Sequence, residues 1–265
     1  MLGFQLFLHS LRMIFGNFGA AVRVTIPVLV FSAVIYIWMF AQFGTTFVGA
    51  TWDASDPQRA FSQIPDGFAL FVVIFAVGGT ITFLWTATAW HRFILLEETP
   101  GSTGPRWDGG AIWRYFKAGF ILVLLMFAAT LALSIITTIV AIILAKLSIP
   151  PMLIGLLFSF LMFVPLVLIF YRLSPILPSA AVGTGLKMSE AWDATRGAGW
   201  SLIVLAVVSV LAAMAISIPG EILLSAAPVL GVIWQIGVQW ISSLFGISIL
   251  TTIYGVYVEK RDLNV

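Results

Sequence analysis

The sequence predicts an all-α, polytopic membrane protein: six transmembrane helices arranged as three hairpins, with short amphipathic helices at the interface. Three observations predict it. Apolar residues make up 61% of the chain and charged residues only 9%, against roughly 45–50% and about 25% in soluble domains. The apolar residues fall into six long runs, each near the roughly 20 residues that cross a bilayer core of about 30 Å. The charges lie between those runs and sort by loop parity.

The first element is an amphipathic helix over about 4–16. Phe7, Leu11, Ile14, Phe15 and Phe18 recur at helical spacing, with Gln5, His9 and Arg12 opposite. Such a segment lies along the membrane. It lacks the unbroken apolar core and small-residue cleavage site of a signal peptide. The spans follow at about 22–47, 68–90, 118–145, 152–170, 201–218 and 230–256. Their connections are too short for a second soluble domain, so residues 1–265 form a single membrane domain.

Orientation comes from the basic residues. Of the 13 Lys and Arg, only Arg59 and Lys146 fall on one side. Arg12, Arg23, Arg92, Arg106, Arg114, Lys117, Arg172, Lys187, Arg196, Lys260 and Arg261 fall on the other. The positive-inside rule then places both termini and the 91–117 and 171–200 loops in the cytoplasm. The 48–67 loop, with Asp53, Asp56 and Asp66, faces outward. The basic pI of about 9.1 reflects these anchors and not nucleic-acid binding.

The hairpins read as related units. Each entry pairs Asn or Gly with an aromatic: Asn17-Phe18, Gly119-Phe120 and Gly199-Trp200. At an offset near 80, Trp113 aligns with Trp192 and Lys117 with Arg196. Spans two and four end alike, in Trp90-His91-Arg92-Phe93 and Phe170-Tyr171-Arg172-Leu173. The aromatic ring suits headgroup depth and the arginine snorkels to phosphates.

The chain carries no Cys, which excludes disulfides and thiolate chemistry. The predicted span interiors carry no Asp, Glu, Lys, Arg or His, which argues against proton relays and voltage sensing. His91, at a span end, is the one weak candidate for a cofactor ligand; its plainer role is an interfacial polar anchor. No metal site is expected from two histidines without cysteine. Glu97-Glu98 solvates a loop, and Gly101–Pro105 forms a turn without a nucleotide-binding pattern. No catalytic constellation is found, so no enzyme activity and no cofactor are expected.

Three stripes at i, i+4, i+8 suit helix packing: Gly78, Thr82 and Thr86; Thr130, Ser134 and Thr138; Ser209, Ala213 and Ser217. Their hydroxyls can also bond back to their own helices.

The 171–200 segment is the most distinctive. Pro175 and Pro178 break the preceding helix, and Ser189 caps a short helix holding Trp192 that stops at Gly197. Through Arg172, Pro178, Ala180, Glu190-Ala191-Trp192, Arg196 and Trp200, it resembles bacterial inner-membrane proteins of the glycerophosphoryl diester phosphodiesterase membrane-domain type. Arg92, at the matching end of span two, joins this interfacial set. The resemblance covers about thirty residues and implies a bacterial inner membrane but no activity, because the diesterase module of some relatives is a separate soluble domain. The functional expectation is a non-enzymatic accessory, assembly or scaffolding subunit in contact with the bilayer and other membrane subunits. The alternative is a carrier or binder of a lipid or hydrophobic small molecule.

Overall fold

In the computed structural model, residues 1–49, 64–147 and 149–263 are described. Of the expected outward loop, Asp53, Asp56 and Arg59 lie outside these residues, while Asp66 is described and exposed. The described residues form α-helices and no strands: α1 (Leu2–Phe15), α2 (Phe18–Gly49), α3 (Phe68–Leu96), α4 (Gly109–Lys146), α5 (Pro151–Leu173), α6 (Ile176–Val182), α7 (Met188–Ala194), α8 (Gly199–Ala226) and α9 (Pro228–Tyr257). Six helices are long and apolar enough to cross a membrane. Six crossings return both termini to one side.

The pairs α2–α3, α4–α5 and α8–α9 pack as three hairpins. Glycine decides how closely two of them pair. A Cβ on Gly78 would sit 2.4 Å from the Phe31 ring, and one on Gly231 would sit 2.5 Å from the Leu224 backbone nitrogen. The tight α8–α9 contact continues at Gly220, which abuts Trp234 and Gln235. Trp234 Nε1 donates to the Ile216 carbonyl at 2.9 Å.

The hairpins meet at the end that bears the termini. There one core joins Ile14 of α1, Val24 of α2, Trp90 of α3, Tyr115 and Leu122 of α4, Leu177 of α6, and Leu244 and Ile247 of α9. Helix α9 is the hub and packs on α1, α3, α6 and α8. In its apolar window 44% of residues are buried, against 0–17% in the other spans. Toward the opposite end the hairpins lose each other. No described residue from 138 to 172 is buried, nor any from 207 to 219. What holds that end is internal to each hairpin, as in the Trp38, Phe43, Phe68 and Phe71 aromatic cluster of α2–α3.

Several expectations change. The amphipathic helix exists as α1, but its inward face, Gly3, Leu6, Phe7, Ser10 and Ile14, packs on protein. A Cβ on Gly3 would lie 2.3 Å from the Ser201 carbonyl of α8. Of the residues expected to enter lipid, Phe7 and Ile14 are buried while Phe15 and Phe18 stay exposed. Helix α8 runs to Ala226, past the expected bound at 218, and so carries Glu221 into the helix. Only Pro175 interrupts the α5–α6 path. Pro178 sits in the first turn of α6, where its missing N–H has no helical partner to lose. The cap of α7 is at Lys187, not Ser189; the Glu190 carboxylate accepts the Lys187 N–H at 2.9 Å. The proposed hairpin equivalence is partial: Trp113 lies within the unbroken α4, whereas Trp192 lies in the separate α7.

Candidate functional site

The core at the terminal end is threaded by hydroxyl, indole and imidazole groups. One device recurs. A Ser or Thr donates its proton to the carbonyl four residues back, and its oxygen then accepts from a neighbouring helix. Thr25 bonds the Ala21 carbonyl and accepts the Trp240 indole N–H at 2.9 Å. Ser10 bonds the Leu6 carbonyl and accepts from Thr252 at 2.9 Å. Thr251 bonds the Ile247 carbonyl and meets His91 Nδ1 at 2.8 Å.

The last contact orients the histidine. With the Thr251 proton on the Ile247 carbonyl, the tautomer that satisfies both ring nitrogens carries its proton on Nδ1 and donates it to Thr251. Nε2 is then the acceptor for the Tyr115 hydroxyl at 3.3 Å. His91 is fully buried. Both ring nitrogens are occupied, so the side chain is neither an interfacial anchor nor an open ligand. Beside it, Trp90 Nε1 donates to Ser248 at 2.9 Å. One turn on from Thr251 in α9 the Tyr254 hydroxyl meets Thr184 at 3.1 Å, and Thr184 meets Ser179 at 2.9 Å. Ser179 also accepts the Leu186 N–H at 2.7 Å. This pins the turn at Gly183, whose φ of 89° suits glycine. Residues 248–254 of α9 thus reach α3, α1 and the α6–α7 turn.

Around this core, arginines serve helix C-termini, where carbonyls lack partners and the helix dipole is negative. Arg92 donates to the Ala181 carbonyl at the end of α6 at 3.1 Å. It also holds Glu98 through Nε at 2.8 Å and through Nη2, and lies 3.7 Å from Asp108. Arg114 donates to the Ala180 carbonyl at 3.3 Å. Arg172 donates to the Trp192 carbonyl of α7 at 3.0 Å and lies over that indole, 3.8 Å from its centre. Arg261 reaches the Leu95 carbonyl at the end of α3 at 3.1 Å. Asp108 caps α4 by accepting the Ala111 N–H at 2.9 Å. That bond, with Arg92 and Arg114 nearby, holds its carboxyl below the ordinary value.

The residues that carried the expected resemblance therefore divide. Arg92, Arg172, Pro178 and Glu190 organise the α5–α8 connection. Arg196 pairs with Asp193 at 2.7 Å on the exposed surface, and Trp200 is 71% exposed. The packing stripes divide too. Gly78, Thr82 and Thr86 run along the α2–α3 contact, where Thr86 approaches the Val24 carbonyl at 3.5 Å. In α4, Thr138 is exposed. Its neighbour Thr137 is the buried one and reaches Met162 of α5. Thr130 and Ser134 bond their own helix. Ser209 and Ser217 do the same, and Ala213 is exposed. Neither hydroxyl of that stripe bonds a neighbouring helix.

Sequence reasoning passed over Ser248, Thr251, Thr252 and Tyr254. Their crowding into the last turns of one span was the available signal. It also passed over Gln239, which lies on the exposed face of α9 with Ile236, Ser242 and Gly246. Its amide nitrogen reaches Ser243 of its own helix at 3.4 Å. Gln235, one turn earlier, instead finds Glu221 of α8 at 3.3 Å.

Comparisons with protein-family models, with curated proteins and with solved structures find no match.

Proposed function

We propose that this chain is a non-enzymatic accessory, assembly or scaffolding subunit of a larger complex in a bacterial inner membrane, with both termini cytoplasmic. The observation that carries the reading is Gln239. It lies about 16 Å along α9 from Pro228 and about 27 Å from Tyr257, well inside the span, and it faces outward. An amide turned to hydrocarbon is costly, and polar groups in spans characteristically bond across helices. Ser242 and Gly246 on the same face have the small side chains that let another helix approach closely. The polar groups of α9 at the terminal end, Ser248, Thr251, Thr252 and Tyr254, are engaged with neighbouring elements, which suits a support.

The test is purification in mild detergent followed by native mass spectrometry. A membrane protein in fixed stoichiometry, lost on Gln239→Leu, supports the reading. Recovery of the bare chain at unchanged levels in wild type and Gln239→Leu counts against it. The second reading, a lipid binder or carrier, draws support from a partly open cavity beside Thr88 of about 120 Å³.

A further inference from the structure

That cavity lies between α2, α3, the start of α4 and the connection from Glu97 to Asp108. Its polar lining is Thr88, Arg92, Glu98, Thr99, Arg106 and Asp108, with Trp85 as part of the apolar wall. Thr88 is 2% exposed and its hydroxyl oxygen is buried with no hydrogen-bond partner. The other buried threonines of the core, Thr25, Thr86, Thr137, Thr195, Thr251 and Thr252, each have one. A buried hydroxyl without a partner points to a polar occupant.

The charges say which kind. Two guanidiniums and two carboxylates line the space, so their formal sum is zero. Arg92 is taken up by Glu98, Asp108 and the Ala181 carbonyl. Arg106 makes no side-chain hydrogen bond or ion pair among the described residues; only its carbonyl is used, by Trp85 Nε1 at 3.2 Å. A lone anion held by Arg106 would face two carboxylates, and a lone cation would face two guanidiniums. A group carrying both charges at separate atoms fits without either conflict. Behind the cavity wall, Trp107 is 53% exposed and meets the lining residue Trp85 edge-on, with ring centres 5.0 Å apart. Paired indoles beside an arginine belong at headgroup depth.

We infer that this cavity holds a phosphate–ammonium zwitterion of the kind found in amine-bearing phospholipid headgroups. Arg106 and the Thr88 hydroxyl bind the phosphate, and the Asp108 carboxylate, whose Oδ2 is held only by the 3.7 Å ion pair with Arg92, binds the ammonium. The acyl chains stay in the bilayer. The site stands whether or not the chain is a subunit of a complex.

The experiment is native mass spectrometry of protein released from vesicles of equal phosphatidylethanolamine, phosphatidylcholine and phosphatidylglycerol. Wild type is expected to retain phosphatidylethanolamine about tenfold over the other two. Thr88→Val and Arg106→Gln are each expected to abolish that preference while keeping wild-type helicity. A parallel arm adds free phosphoethanolamine to lipid-depleted protein. Stabilisation there assigns a soluble zwitterion, and its absence alongside selective lipid retention assigns the headgroup. Equal retention of the three lipids without stabilisation by the free zwitterion overturns the inference, as does a preference for phosphatidylglycerol or a preference untouched by both variants. If a variant fails to fold, the wild-type selectivity decides alone.

Discussion

Replacing Thr251 with valine keeps the side chain's shape and removes one hydroxyl. The imidazole of His91, fully buried and 2.8 Å away, then has no acceptor for its Nδ1 proton. Stranding a buried donor costs about 1–3 kcal/mol, more than the roughly 0.6 kcal/mol average for interhelical hydrogen bonds in membrane proteins. His91→Phe has a cost of the same kind, because it strands the Tyr115 hydroxyl. It leaves Thr251 bonded to Ile247. The double variant removes the shared contact once, so its cost should fall short of the sum by about 0.5–3 kcal/mol. Unfolding by SDS in mixed micelles measures all three. A Thr251→Val cost below about 0.3 kcal/mol, or additivity within about 0.3–0.5 kcal/mol, would refute the view that this network ties α9 to α3.

The other expectations follow from the same geometry. Gly231→Ala puts a methyl group against the Leu224 backbone and should cost about 1–3 kcal/mol by overpacking. Gly155→Ala, where a Cβ meets nothing, should be neutral or slightly stabilising in the same titration. Arg92→Gln loses the Glu98 pair and weakens the hold on Ala181. With Glu98 half-exposed, a cost of about 1–2 kcal/mol is expected, together with faster proteolysis in the 183–187 turn; unchanged cleavage there would show that Arg92 does not hold α6. For topology, cysteine at Asp66 should react with an impermeant thiol reagent from outside intact cells and cysteine at Ser102 should not. Reversed labelling would overturn the orientation drawn from the basic residues.

The six spans were readable because hydropathy is a bulk property of long windows, and each long apolar run became a helix. Boundaries were less so. Glu221 lowers local hydropathy, yet its bond with Gln235 and the close Gly220 contact carry α8 on to Ala226. The arginines were read as headgroup anchors from their position at span ends. Several instead serve helix C-termini, because a carbonyl left by a break such as Pro175 or Gly183 has no signature of its own in the sequence. His91 was misplaced for a related reason. Its depth depends on α9 and α4 closing over it through Thr251 and Tyr115, which lie 160 and 24 residues away. The packing stripes show where periodicity stops being informative. Gly78 and Thr86 meet α2, whereas the hydroxyls of Ser209 and Ser217, at the same spacing, bond only their own helix.

The most direct test of the subunit reading places a photo-crosslinking residue at Gln239 and, as a control, at Ile135, an exposed position on α4. In native membranes the Gln239 probe should join one membrane protein, at a polar position within one of its spans, and the Ile135 probe should yield lipid adducts. Lipid adducts at both positions would contradict the account.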